Sequence, residues 1–374
     1  MRCTCRGIRR LATAQWDGWA STCREPHDMT DPTMHFLSPA VQDATREDGA
    51  RILLGERAYL VVEDPGLVAF CDRLRAGLDR MALLDGMRTG HGATLLRKLL
   101  QFGWLVNEAQ ADRDAPWARQ HGFLAAHSAQ PASCQVRLAE ARVCVLGLGG
   151  IGGVVLQHLV GAGISKFLLI DDDCIEPSNM NRQFMFRAAD AGRPKVEVAA
   201  QYVLERHTGA HVDVVRTHVD SRERLFGLAE RFRPDLLIVA ADRPFLVIER
   251  MCAGYCDDTD TAYLAAAASL SGGFAGPLVV PEPGERRCEA FVEAWMDQLA
   301  SACEGFSPRA FLQPSEWSYG PSNTIAAALA ADLAIRHLAD IASPSTTRQR
   351  FSLGPIRVAH FEPDSHLEEP RTAL

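Results

Sequence analysis

The run Gly147-Leu148-Gly149-Gly150-Ile151-Gly152 constrains what this chain can fold into more than any other feature. It follows an apolar segment at 143–147 and precedes a stretch of helical apolar spacing at 151–161. Glycines at the G-x-G-x-x-G positions 147, 149 and 152, with Gly150 between them, let a strand turn sharply into a helix. They also let a phosphate approach the helix N-terminus, where unpaired N–H groups face it. A strand–turn–helix with only a structural role has no need of these glycines. Downstream, apolar strands are expected at 166–170, 212–216, 235–240 and 262–267, separated by helices at 194–207, 221–232 and 244–256. That alternation predicts a doubly wound, mostly parallel, Rossmann-like α/β sheet. Past Ser269 the pattern changes to a glycine-rich strand (272–280), two helices (288–303 and 322–341) and a terminal strand (356–361).

The N-terminal third has a different texture. Residues 1–35 contain Arg2, Arg6, Arg9 and Arg10 but no apolar run, and form a leader expected to be disordered; Met29 and Met34 stand just before the first apolar periodicity. Residues 36–110 hold two short strands around Gly55-Glu56-Arg57, helices at 66–79, 81–85 and 93–102, and a short strand at 104–106. That content predicts a small winged-helix-like domain. Residues 111–140, rich in Asp, Ala, Pro, Ser and Gln, read as a linker, and 141–374 as the phosphate-binding domain.

Charge and cysteine usage narrow the function classes. The formal net charge is −8, and residues 36–110 carry nine Lys or Arg against ten Asp or Glu. Nucleic-acid binding needs clustered positive charge, so neither the chain nor its winged-helix-like part is expected to bind DNA. Eleven cysteines with no C-x-x-C pair form neither a disulfide framework nor a zinc motif, which points to a reducing, cytoplasmic setting without zinc. The two long uncharged stretches, 143–165 and 262–280, are broken by glycines or proline, and no membrane span is expected.

The residues after the glycine loop suggest the ligand. Asp171 and Asp173 lie 19 and 21 residues beyond Gly152, where a ribose-binding acid belongs. The polar run Ser178-Asn179-Met180-Asn181-Arg182-Gln183-Phe184 follows, then Lys195 just inside a helix opened by Pro194. Only three lysines occur in the chain, against 39 Lys and Arg together, so a solubility role for Lys195 is weak. An Arg that forks onto phosphate oxygens and a Lys acting as a point charge suit a triphosphate better than a dinucleotide. Asp242, at the carboxyl end of an expected buried strand, is placed to hold magnesium opposite a polyphosphate or to cap the next helix.

With Gly147–Gly152, Asp173, Asn179, Arg182, Gln183, Lys195 and Asp242 in view, residues 141–341 resemble the E1-like (ThiF/MoeB-type) adenylating family. Within it they look like the ribosomal-peptide maturases, such as the microcin C and pantocin A maturation enzymes, on 170–186, 241–245, 276–278 and 321–329. The resemblance implies an ATP- and Mg²⁺-dependent enzyme that adenylates a carboxyl and releases pyrophosphate. It implies further that Asp173 faces the ribose, that Asn179, Arg182 and Lys195 face the phosphates, and that Asp242 holds the metal. In dimeric relatives a linker arginine reaches the partner's ATP; Arg119 is the candidate here and Arg113 the fallback. Relatives often carry two zinc-binding C-x-x-C pairs, but Cys288 stands alone and no cysteine follows Cys303, so no closed four-ligand site is expected. Cys252, Cys256 and Cys288 read as small buried hydrophobes rather than thioester nucleophiles. Residues 36–110 resemble the leader-peptide recognition element of ribosomal-peptide enzymes, which implies a precursor peptide as partner; the dimeric relatives imply a homodimer as the assembly.

Three other readings compete. A carrier-protein activator that adenylates a C-terminal glycine for sulfur transfer is disfavoured by the N-terminal domain and the missing cysteines. An NAD-dependent oxidoreductase is disfavoured by Arg182 and Lys195 and by the lack of a hydride-site histidine. An inactive scaffold is disfavoured by the intact set Arg182, Lys195 and Asp242.

Overall fold

The computed structural model describes residues 34–361, apart from 57, 87, 89, 108–115, 245–246, 303–316, 342–346 and 354–355. The leader expected at 1–35 therefore lies almost wholly outside the described residues, as does Arg113. The chain divides into two units, Met1–Gln135 and Val136–Leu374.

In the first unit, β1 (Phe36–Leu37) pairs across the chain with the short β5 (Leu105–Val106). Strands β2 (Gln42–Thr45), β3 (Arg51–Leu54) and β4 (Tyr59–Val62) form an antiparallel meander. Helices α1 (Pro65–Ala76), α2 (Arg80–Gly86) and α3 (Gly90–Gln101) follow. Asp64 opens α1 by accepting from the N–H groups of Gly66 and Leu67, with Pro65 at the first position. Leu53, Phe70, Leu74, Leu96 and Leu99 fill one core between sheet and helices. These are the strands and helices expected between residues 50 and 106; β1 and β2 were not foreseen. β2 is exposed along its whole length, so it carries no apolar alternation to read.

The stretch read as a linker is helical over most of its length. It forms α4 (Ala118–His127) and α5 (Pro131–Glu140). Leu124 and Ala125 of α4 and Cys134 and Leu138 of α5 are almost fully buried, the α5 pair standing one helical turn apart. Polar composition hid this sparse apolar stripe, and Pro131 begins a helix rather than interrupting one.

The second unit is built on one eight-stranded sheet of order β13-β12-β11-β10-β9-β6-β7-β8. Its strands are β6 (Arg142–Leu146), β7 (Lys166–Ile170), β8 (His211–Val215), β9 (Leu236–Val239), β10 (Ala262–Ala268), β11 (Gly272–Val279), β12 (Arg348–Leu353) and β13 (Ile356–Phe361). The five from β8 to β10 are parallel, as the alternation predicted. The last three add antiparallel at one edge. Helices α6 (Gly152–Gly161), α7 (Lys195–Arg206), α8 (Arg222–Ala229), α9 (Val247–Thr259), α10 (Arg287–Ala302) and α11 (Gly320–Leu338) complete the unit. Cys144, Leu146, Leu168, Ile170, Leu237, Val239, Tyr263 and Ala265 alternate along their strands and pack with α8, α9 and α10 in one buried cluster. The intervening residues Val143, Val145, Phe167, Leu169, Leu236 and Ile238 point to the other face and are just as buried, so both faces of the sheet are covered. The order places β6 and β9 side by side, with the chain winding outward in both directions from them. That switch point opens a crevice beyond the carboxyl ends of the strands.

Candidate nucleotide site

Two loops meet at the switch point, one leaving β6 and one leaving β9. Gly147 has φ +90, and a Cβ there would come within 2.7–2.8 Å of the backbone of Ala240 and Ala241. Gly152 opens α6 so close to the turn that a Cβ would overlap the carbonyl oxygen of Gly147. Both positions exclude any side chain, which explains the glycines at the first and last places of the motif.

Asp171, at the end of β7, braces this loop from beneath. Its carboxylate accepts from the N–H of Leu148 at 2.6 Å and of Asp173 at 2.9 Å. Burial pushes its pKa up, against the opposing pull of Lys195 and the two backbone donors. Of the two candidate ribose acids, Asp171 is thus engaged with the backbone and Asp173 is the exposed one. Lys195, buried in the first turn of α7, donates to Asp173 Oδ2 at 2.7 Å, and its N–H donates to the Asp173 carbonyl at 3.1 Å. The sequence reading placed these two residues in one site without foreseeing that they pair directly.

The segment 176–186 forms the next wall. Asn179 is buried and closes a reciprocal cap with Glu176, its Oδ1 accepting from the Glu176 N–H at 3.0 Å. Its carbonyl accepts from the N–H groups of Arg182 and Gln183, so Asn179 shapes the turn that presents both. Arg182 is held by the Ser178 carbonyl at 3.0 Å and Asn181 Oδ1 at 2.9 Å. Gln183 is buried, its Nε2 turned towards Gly149, and its Oε1 has no hydrogen-bond partner among the described residues.

Asn323, in the first turn of α11, was not singled out in the sequence. A Cβ on Gly150 would lie 2.6 Å from Asn323 Oδ1 and 3.2 Å from Arg182 Cγ, so both side chains close over the glycine loop. Asn323 is fixed by donating to Ser318 Oγ at 2.9 Å and the Tyr319 carbonyl at 2.7 Å. It lay within the 321–329 stretch that carries the resemblance, as the second residue of a Ser-Asn pair after Gly320-Pro321 at the start of a long helix.

Asp242 is exposed two residues beyond Ala240, whose backbone abuts Gly147, and it makes no hydrogen bond or ion pair among the described residues. Helix α9 is described from Val247 onward, with the Ile248 N–H donating to the Pro244 carbonyl at 2.9 Å. The carboxylates of Asp171, Asp172 and Asp173 lie within 4.8 Å of one another, a grouping that does not include Asp242. Arg119 is exposed on α4, in the first unit. Cys252, Cys256 and Cys288 are fully buried in the core, and burial raises the pKa of each thiol. No described helix is long and apolar enough to cross a membrane.

A glycine loop at the switch point of a doubly wound sheet, with Arg182, Gln183 and Asn323 beside it, stands where sheets of this type take their ligands. Residues 119–368 match the ThiF family, and the chain belongs to that family. It is 42% identical over 82 residues to the NEDD8-activating enzyme E1 catalytic subunit of Arabidopsis thaliana, covering 22% of this chain and 18% of that protein. It is 32% identical over 158 residues to the sulfur carrier protein ThiS adenylyltransferase of Escherichia coli, covering 41% and 59%. The chain therefore spans less than two thirds of these curated relatives. Among solved structures it is similar to E. coli MccB with AMPCPP and MccA (TM-score 0.68, 23% identity), with 89% of this chain and 99% of that one covered. That likeness shows the fold.

Proposed function

We propose that this protein is an ATP-dependent adenylating enzyme acting on a carboxyl of a ribosomally made precursor peptide, in the biosynthesis of a peptide natural product. The observation that carries the nucleotide reading is the collar around the glycine loop. Gly147 and Gly152 exclude side chains, Arg182 and Asn323 close over Gly150, and buried Gln183, its Nε2 towards Gly149, keeps an Oε1 unpartnered among the described residues. A buried polar atom without a partner is costly, and a bound ligand is the natural way to satisfy it.

ATP would lie with its phosphates at the glycine loop and its ribose towards Asp173. Lys195 and Arg182 would then face the charge that moves onto the leaving pyrophosphate. The substrate carboxylate attacks the α-phosphorus, forming an acyl–phosphate bond as the α–β bridge bond breaks. No protein nucleophile is required, which agrees with the burial of the cysteines. Asp242, exposed and without a partner among the described residues, fits a magnesium ligand. Bound there, magnesium would supply charge neutralisation. Attack on the acyl group by a neighbouring backbone or side-chain group would cyclise or dehydrate the peptide; otherwise AMP remains attached.

The peptide reading rests on the first unit. The likeness to the MccA-bound MccB extends over 89% of the chain, beyond the family match at 119–368, and so takes in part of residues 34–107. In this reading the first unit holds the precursor's leader by strand addition or in a groove. Two copies assemble, and Arg119 acts across their interface. The alternative, activation of a carrier protein at its C-terminal glycine, is favoured by the identity to the ThiS adenylyltransferase.

The test is ATP–pyrophosphate exchange. Probes are peptides encoded by short reading frames beside the gene and a ubiquitin-like carrier ending Gly-Gly. Exchange with a peptide, lost in Lys195→Met and Asp242→Asn, supports the proposal. Exchange with the carrier alone installs the alternative, and binding of NAD without any response to MgATP overturns both.

A further inference from the structure

Beside the glycine loop, two adjoining segments of the protein carry three exposed aromatic residues. Phe184 is 57% exposed, Tyr319 49% and Trp317 78%. Aromatic side chains scattered singly on a surface need no explanation, but several together beside a binding site do. The backbone shows that they belong together. A Cβ on Gly320, the first residue of α11, would lie 3.3 Å from Phe184 Cζ and 2.6 Å from the Asn181 carbonyl oxygen. Asn181 Nδ2 donates to the Ser318 carbonyl at 3.2 Å. Segments 181–184 and 318–320 are thus seated against each other, with the Phe184 ring on Gly320 and Tyr319 next to it.

The junction is rigid. The Tyr319 carbonyl accepts from Ser322 Oγ at 2.9 Å and from Asn323 Nδ2 at 2.7 Å, and Ser322 Oγ also reaches the Ser269 carbonyl at 2.6 Å. A preformed apolar ledge loses little conformational freedom when something lies on it. It also adjoins the phosphate-facing cations. Arg182 is two residues from Phe184, and its Cγ stands over Gly150.

We propose that Phe184, Tyr319 and Trp317 form the acyl-substrate subsite. Its occupant is an extended peptide segment with a large apolar side chain one or two residues from the carboxyl that is activated. The reading rests on adenylation at this site. A carboxylate that attacks the α-phosphorus of a nucleotide on the glycine loop has to approach that loop, and an extended chain advances about 3.3–3.6 Å per residue. The ring of a neighbouring residue therefore falls on a ledge that begins two residues from Arg182. Charge is complementary on the carboxylate side and apolar area on the other. The three rings select the residue beside the reacting group, while the nucleotide is held by the collar and not by them.

The test uses the full chain and tetrapeptides Gly-Gly-Xaa-Gly, with Xaa as Ala, Leu, Phe or Trp and a free terminal carboxylate. A second set, Gly-Xaa-Glu-Gly amide, offers the carboxyl on a side chain. Exchange kinetics are read with binding of fluorescein-labelled tetrapeptides by anisotropy. In the wild-type protein the peptide KM or Kd is expected to fall as Xaa grows. Phe184→Ala and Tyr319→Ala should each raise it by about tenfold for Phe and Trp and abolish the preference. ATP affinity and unfolding temperature should stay unchanged, because the replaced rings are exposed. Loss of ATP affinity in step with peptide affinity would assign the ledge to the nucleotide base and overturn the proposal. A change in oligomeric state without a change in preference would assign it to a second copy, with the same consequence. Preference in binding with no exchange for any peptide leaves the ledge standing and removes the adenylation reading; no dependence on Xaa in either assay removes the ledge.

Discussion

Arg348 is the largest fully buried side chain in the described protein, and the site's scaffold should depend on its counter-ion. At the start of β12, its Nη2 lies 2.6 Å from Glu249 Oε2 in α9, and its Nε donates to the Gly276 carbonyl at 3.2 Å. The guanidinium stands over the rings of Phe274 at 3.9 Å and Trp295 at 4.0 Å, and Tyr263 donates to the same Glu249 oxygen at 3.4 Å. Nη1 has no partner among the described residues, so Glu249 is the only charge opposing this cation there. Glu249→Gln keeps the shape and removes that charge. Breaking a buried pair from one side costs about 3–5 kcal/mol, because the remaining charge stays desolvated. The rings do not offset it, since the cation–π contacts, worth about 2 kcal/mol each when desolvated, are present before and after the substitution alike. For a unit of this size each kcal/mol moves the unfolding temperature by about 2–4 °C, giving a fall of about 6–20 °C. Circular dichroism with heating and urea titration would measure it. Replacing both partners by Met should recover most of the loss, since neither charge is then left buried. A loss below about 1 kcal/mol in Glu249→Gln, or a double variant as weak as the sum of the singles, would refute the reasoning. Because α9 follows directly on the loop carrying Asp242, the single variant should also loosen the proposed metal site.

Gly152→Ala should cut ATP affinity at least about tenfold by calorimetry, because its Cβ overlaps the Gly147 carbonyl, whereas Gly153→Ala, with Leu148 O at 3.8 Å, should bind normally. His337 is held below its ordinary value of 6.5, first by burial, with Asp340 and Asp235 opposing. The unfolded chain then binds the extra proton as pH falls below 6.5, so stability is complete above that value and declines beneath it. His337→Gln should flatten the slope of urea midpoint against pH in that window, and parallel slopes would exclude His337 as its source.

Much of the fold and site was legible in consecutive residues. The strands at 143–146, 166–170 and 236–239 and the helix after Gly152 follow from local periodicity and turn chemistry. Such signals reside in neighbours along the chain, and the structure places them where the spacing implied. Other features depended on partners far away. β12 begins with Arg348 and contains Arg350, so it reads as surface; its burial exists only because Glu249, 99 residues earlier, and three aromatic rings surround the guanidinium. The spacing alone offered Asp171 and Asp173 alike, and it is the fold that sets one on the Leu148 N–H and the other on Lys195. Asn323 and the aromatic ledge likewise arise where α11 meets the 181–184 segment, more than 130 residues apart in the chain. What the sequence determined by itself was the architecture and the chemistry on offer, because backbone turns and apolar repeats are local. Which polar group meets which was decided by tertiary structure, because desolvation and hydrogen bonding depend on what packing brings together.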